Sequence, residues 1–141
     1  MFHHFHDDKI HKKTQGSINQ NEFYKLIKFV GRKNILDADD FFVKFKKNKL
    51  TEKNVCFTFD DAIKSQYDVA LPILEDLKIK SFFFVNSSLF DHEPDLLEIY
   101  RYFRTNYFLN IDEFYKSFFK KCKKNLNEFY KVEENTINQK K

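Results

Sequence analysis

The chain has 141 residues, 42% of them hydrophobic, with 19 Phe, 7 Tyr, only two Gly and two Pro. That length leaves no room for a complete (β/α)8 barrel, which takes about 250 residues, although the apolar content is ample for a packed core. The net charge of +4 arises from 25 Lys and Arg mixed with 21 Asp and Glu; such mixing reads as a solvated surface, so no nucleic-acid partner is expected.

The scarcity of Gly and Pro predicts a helix-heavy chain. Cys56 and Cys122 make no disulfide framework. No apolar run spans a membrane, and the His- and Asp-rich start is unlike a signal peptide. The expected compartment is the cytoplasm, and the expected organisation is one domain over 1–141, frayed from about 125 onward.

In chain order, Met1–Phe5 reads as a first short strand with His3, His4 and His6 at or beyond it. A polar loop follows to Gly16. Ser17 or Asn19 caps a helix from about Gln20, with Phe23, Leu26, Ile27 and Val30 on its apolar face and Gly31 as C-cap. Asn34–Leu36 is a short strand. Asp37 or Asp39 caps a second helix carrying Phe41, Phe42 and Phe45, with lysines toward its end.

The organising stretch is Asn54–Val85. Val55–Phe59 is a nearly unbroken apolar run, as a strand covered on both faces should be. It meets Asp60-Asp61 abruptly. Val69, Ala70, Ile73, Leu74 and Leu77 recur at helical spacing, with Lys64, Asp68, Glu75 and Lys78 opposite. Pro72 places the start of regular helix near Tyr67 or Asp68. Lys80–Val85 repeats the buried-strand pattern, which completes a βαβ unit with two carboxylates at a strand's carboxyl end, where α/β folds place their active sites. Further helices are expected from Pro94, with Leu97, Tyr100, Phe103 and Tyr107 on one face, and from Asn110 or Asp112, with Phe114, Phe118, Phe119 and Cys122. His11 and His92 read as surface residues, and Cys56 as a structural thiol.

Thr58-Phe59-Asp60-Asp61-Ala62, then Ala70-Leu71-Pro72-Ile73-Leu74, then Ser81-Phe82-Phe83-Phe84-Val85 resemble the first motif of the polysaccharide deacetylase family, the NodB-type carbohydrate esterases. The start MFHHFHD is similar to the Tyr-His-His opening of several members. The resemblance implies a hydrolase of carbohydrate metabolism that removes N-acetyl groups from a sugar or polysaccharide. It implies Asp60 as the general base, Asp61 as a ligand of a divalent metal, usually zinc, and a distorted (β/α) barrel.

Two features depart from the family. Ala62 replaces a glycine, which puts a Cβ into a turn that needs unusual backbone conformation. No His-x-x-x-His follows Asp61, so two metal ligands are missing. His4 and His6, which share a face by strand alternation while His3 points away, are candidate substitutes; the other reading of these histidines is a terminus without a role.

The fold expected is therefore α/β: a partial (β/α) barrel-like parallel sheet with flanking helices and a helical C-terminal half, truncated relative to the family. Its expected partner is an N-acetylated carbohydrate. Self-association, or pairing with the missing C-terminal half, would cover apolar surface left by absent strands. The alternative is a non-catalytic remnant or binding module that keeps the fold without the metal centre.

Overall fold

The computed structural model describes residues 1–138, with side chains described except at 88–89 and 127–138. Met1–Pro94 form one compact unit and the residues from Asp95 a second. The architecture is mixed and helix-rich, with a small parallel sheet in the first unit. Of the tail expected to fray from about 125, the residues to 138 lie in the last helix and the rest fall outside the described residues.

The first unit is built on strand β1 (Thr58–Phe59), which pairs in parallel with β2 (Phe82–Phe83). Single parallel bridges join Phe2 to Phe59 and Ile35 to Val55, so each stretch expected to be extended contributes one rung. The Thr58 carbonyl accepts from the Phe2 N–H at 2.8 Å, and the Phe57 and Phe59 carbonyls accept from Phe82 and Phe84 at 3.1 and 2.7 Å. β1 thus has neighbours on both edges, and Phe57 and Phe59, which share one face of the strand, are buried. Phe2, Phe5 and Phe23 pack on them, Phe2 stacking on Phe59 with ring centroids 5.2 Å apart.

Helix α1 (Gln20–Val30) starts at Asn19, whose side chain accepts from the Glu22 N–H while the Glu22 carboxylate accepts from the Asn19 N–H, a complete capping box. It buries Phe23 and Ile27 and ends at Gly31, whose φ of 84° favours a residue without a Cβ. Helix α2 (Ala38–Lys46) departs from expectation. Asp37 makes no side-chain cap; its Oδ1 accepts instead from the Lys80 N–H at 3.0 Å, and the Ala38 N–H donates to the Lys80 carbonyl. Its buried residue is Ala38, while Phe42 and Phe45 are exposed. Helical spacing does not state what covers those aromatics; the bonds to Lys80 hold the helix at its N-terminus.

The crossover is also more detailed than expected. Gln66–Ala70 is a π-helical turn, followed by α3 (Leu71–Asp76) with Pro72 in its first turn. Proline lacks the N–H that would donate one turn back and its ring crowds that carbonyl; the wider π turn accommodates both. The expected apolar face holds, with Val69, Ala70, Ile73 and Leu74 buried. Lys78, at φ 50°, ends the helix, and the Arg32 guanidinium donates to the carbonyls of Leu77 and Lys78 at 3.4 and 2.9 Å. Those are C-terminal carbonyls that would otherwise lack partners.

The second unit comprises α4 (Leu96–Tyr107) and α5 (Ile111–Asn138). Asp95 caps α4 by accepting from Leu97 and Glu98, and Asn110 accepts from the Glu113 N–H at the start of α5. Phe103, Phe108 and Phe114 link the two helices through edge-on ring contacts of 5.6 and 5.3 Å. Leu97, Tyr100, Tyr107, Phe118 and Phe119 remain exposed. Among the described residues no helix is long and apolar enough to cross a membrane.

Because Phe59 is fully buried against rings on both sides, Phe59→Ala is expected to cost about 3–5 kcal/mol. A urea midpoint shift by that amount checks it; a shift below about 1 kcal/mol would show that β1 is not the centre of the core.

Candidate functional site

The carboxyl end of β1 is where the chain concentrates polar groups. The Asp60 N–H donates to the Phe2 carbonyl at 3.0 Å, so Asp60 still belongs to the ladder. Asp61 and Ala62 then leave it in the left-handed region, with φ of 74° and 50°. Asp tolerates this conformation better than most residues, whereas Ala places its Cβ against the carbonyl. The expectation of an unusual backbone at Ala62 is thus met, and the strain lies one residue from the carboxylate pair.

This turn sends the two side chains to one imidazole. His3 Nε2 is 3.7 Å from Asp60 Oδ2 and 3.8 Å from Asp61 Oδ2, and all three side chains are partly exposed. His3 had been placed on the far face by strict alternation. The N-terminal segment makes isolated bridges rather than a regular strand, at Phe2 with β1 and at Phe5 with Ile18, so strand periodicity does not govern its side chains. His6 is buried, its Nδ1 at 2.9 Å from Ser17 Oγ. His4 is half-buried, and its carbonyl accepts from the Ile18 N–H.

Two residues after the turn hold this arrangement. Gln66, fully buried, donates from Nε2 to the carbonyls of His3 at 2.8 Å and Asp60 at 2.5 Å. The buried Ser65 hydroxyl accepts from the Phe5 N–H. Together they fasten the N-terminal segment to the end of β1, and so fix where His3 stands relative to the carboxylates. Both precede the helix start near Tyr67 or Asp68 expected from Pro72. A buried amide is costly unless bonded, but burial of Gln66 has no periodic signal.

A second polar cluster joins the N-terminal loop to the crossover. His11 Nε2 is 2.7 Å from Asp68 Oδ2, and Lys64 bonds the same carboxylate. These two donors hold the Asp68 carboxyl below its usual range, Lys64 first and His11 second. His11 is only 15% exposed in its side chain, which corrects its reading as a surface residue. Asp7 Oδ1 accepts from the N–H groups of Lys9, Ile10 and His11; chiefly the His11 and Lys9 bonds lower its pKa to about 2. His92 is exposed. Cys56 is half-buried, and burial pushes its thiol pKa up, against a nucleophilic role.

Two adjacent carboxylates and an imidazole at a strand end can take a proton from water and hold polar substrate. Among the described residues no group of three or more His, Cys, Asp or Glu side chains is placed to hold a metal ion.

Residues 47–102 match the family model described as polysaccharide deacetylase. The match contains β1, the Asp60-Asp61 turn, α3 and β2, the elements that carry the resemblance seen in the sequence. His3 lies outside it. No curated protein and no solved structure matches the chain.

Ala62→Gly removes a left-handed penalty of about 1–2 kcal/mol and adds unfolded-state entropy costing about 0.5–1 kcal/mol. A net gain of about 0.5–1 kcal/mol in urea unfolding is expected; a loss would deny the left-handed turn. The depressed carboxyls of Asp7 and Asp68 contribute stability that is full above the ordinary value of 3.8 and is lost as pH falls below it, for Asp7 through about 2. Amide exchange at Lys9–His11 should therefore accelerate, relative to its intrinsic rate, over that interval. Asp7→Ala should abolish the dependence at Lys9 and Ile10.

Proposed function

We propose that this chain, carrying a polysaccharide deacetylase segment at 47–102, acts as a deacetylase-like hydrolase on the N-acetyl groups of a sugar or polysaccharide. The observation that carries the reading is the convergence of His3, Asp60 and Asp61 at the carboxyl end of β1, inside or beside the matched stretch. The sheet of β1 and β2 with its crossover corresponds, in this proposal, to the opening of a (β/α) barrel. The two thiols, neither in a disulfide, support the cytoplasm as its compartment.

Asp60 takes the base role. Its backbone is held in the ladder and by Gln66, so the carboxylate has a fixed origin from which to accept a proton from the attacking water. His3, within 3.8 Å of both carboxylates, stands where its imidazole can hydrogen-bond a water held at the pair and orient it toward an acetamide carbonyl.

Asp61 is the residue offered to a divalent ion, zinc by the family resemblance, which would polarise the acetamide carbonyl and acidify water. The residues present do not fit such a site: zinc takes at least three protein donors, and no group of three among the described residues is so placed. That same observation supports the second reading, a non-catalytic binding module that keeps the fold and the carboxylates without the metal centre.

Acetate release from N-acetylglucosamine oligomers, assayed with and without added zinc, cobalt or nickel, decides between them. The hydrolase reading expects measurable release that Asp60→Asn lowers by at least about 10²-fold. No release under any metal, together with binding of the same oligomers, establishes the binding module instead.

A further inference from the structure

Charge and apolar surface separate along α5. From Phe114 to Leu126 the sequence carries Lys116, Lys120, Lys121, Lys123 and Lys124 and no acid. Asp112 and Glu113 stand before this stretch, in the first turn, where the helix dipole favours carboxylates. At 3.6 residues per turn, Tyr115, Phe118, Phe119, Cys122 and Leu126 fall within an arc of about 100°. Lys116 and Lys123 border that arc on one side and Lys121 on the other. Lys120 and Lys124 lie on the opposite face.

The arc is open to solvent. Phe118, Phe119 and Leu126 are 46%, 56% and 51% exposed, and Tyr115 is 37% exposed. Its rings touch one another: Tyr115 stacks on Phe119 at 6.0 Å between centroids, and Phe118 meets Phe119 edge-on at 5.5 Å. They form one apolar strip about 17 Å long. The ring contacts toward α4 run through Phe108 and Phe114, and Phe114 lies beside the arc. The lysines at both borders are exposed as well.

We propose that α5 lies along the surface of an anionic lipid bilayer, with Phe118, Phe119 and Leu126 entering the acyl boundary. Charge complementarity selects this occupant. A helix lying in the interface meets phosphates along both of its flanks, which is where Lys116, Lys123 and Lys121 stand. Their long stems bury beside the rings while the ammonium groups reach the headgroups. An uncharged groove on another protein would cover the arc and leave both lysine borders unmatched. Single-stranded nucleic acid needs cations interleaved with stacking rings; here the two are on different faces, so phosphates held by Lys120 and Lys124 would leave the rings in water. The helix lies on the bilayer without crossing it, because its far face is charged. The proposal stands whether or not the first unit is hydrolytic.

The test is co-sedimentation of the full chain with vesicles of phosphatidylcholine and phosphatidylglycerol, against vesicles of phosphatidylcholine alone and a vesicle-free control. Binding is expected to the anionic vesicles, at least about 10-fold tighter than to the neutral ones. Phe118→Ser with Phe119→Ser should weaken it by at least about 10-fold with an unchanged circular dichroism spectrum, since both rings are exposed. Lys121→Glu with Lys123→Glu keeps every ring and should weaken it by at least about 10-fold, a check should the serine variant fail to fold. Lys12→Glu with Lys13→Glu makes the same change of net charge outside α5 and should leave binding unchanged. Absence of binding to the anionic vesicles overturns the proposal, as does equal binding to both kinds. So does binding that survives the serine and α5 lysine variants, because its surface would lie elsewhere. A dimer seen without vesicles that Phe118→Ser with Phe119→Ser dissociates also overturns it, and assigns the arc to a second copy.

Discussion

The first unit depends on one strand having neighbours on both of its edges. β1 receives the N-terminal segment on one side and β2 on the other, and Phe57 and Phe59, on the face they share, are buried. Everything around it answers to that constraint. The N-terminus is drawn in through Phe2 and Phe5, α1 supplies Phe23 and Ile27, and the crossover lays Val69, Ala70, Ile73 and Leu74 over the same rings. Because the strand is covered by phenylalanines, its polarity changes only at its end, and that is where both carboxylates stand.

The backbone at that end combines strain with restraint. Two successive left-handed residues, Asp61 and Ala62, turn the chain out of the ladder, and the second of them has a side chain that the conformation disfavours. Such strain persists where neighbouring contacts over-determine the path. Here Gln66 and Ser65 do so, by bonding back to His3, Asp60 and Phe5. The same bonds that hold the turn also place the His3 imidazole beside both carboxylates. Site geometry and local stability are therefore the same set of interactions.

Much of this was legible beforehand. The βαβ unit, the capping box of α1, the Gly31 terminus and the buried face of the crossover each rest on local or periodic signals, and each is present. The family resemblance carried by Thr58–Ala62 and by the alanine-leucine-proline-isoleucine-leucine run is matched over 47–102. What the chain's local pattern leaves open has one cause. Phe42, Phe45, Phe118 and Phe119 lie at helical spacing, but spacing states that residues share a face and not that the face is covered. His11 looked solvated because its partner, Asp68, is 57 residues away.

By itself, then, the sequence determined the order of elements, the strand that ends in Asp60-Asp61 and the family to which that stretch is matched, because apolar period, caps and a motif are encoded between near neighbours. Tertiary structure alone decided which histidine meets the carboxylates and that Gln66 is the clamp. Those outcomes turn on hydrogen bonds and packing between segments far apart in the chain, and no local pattern records them.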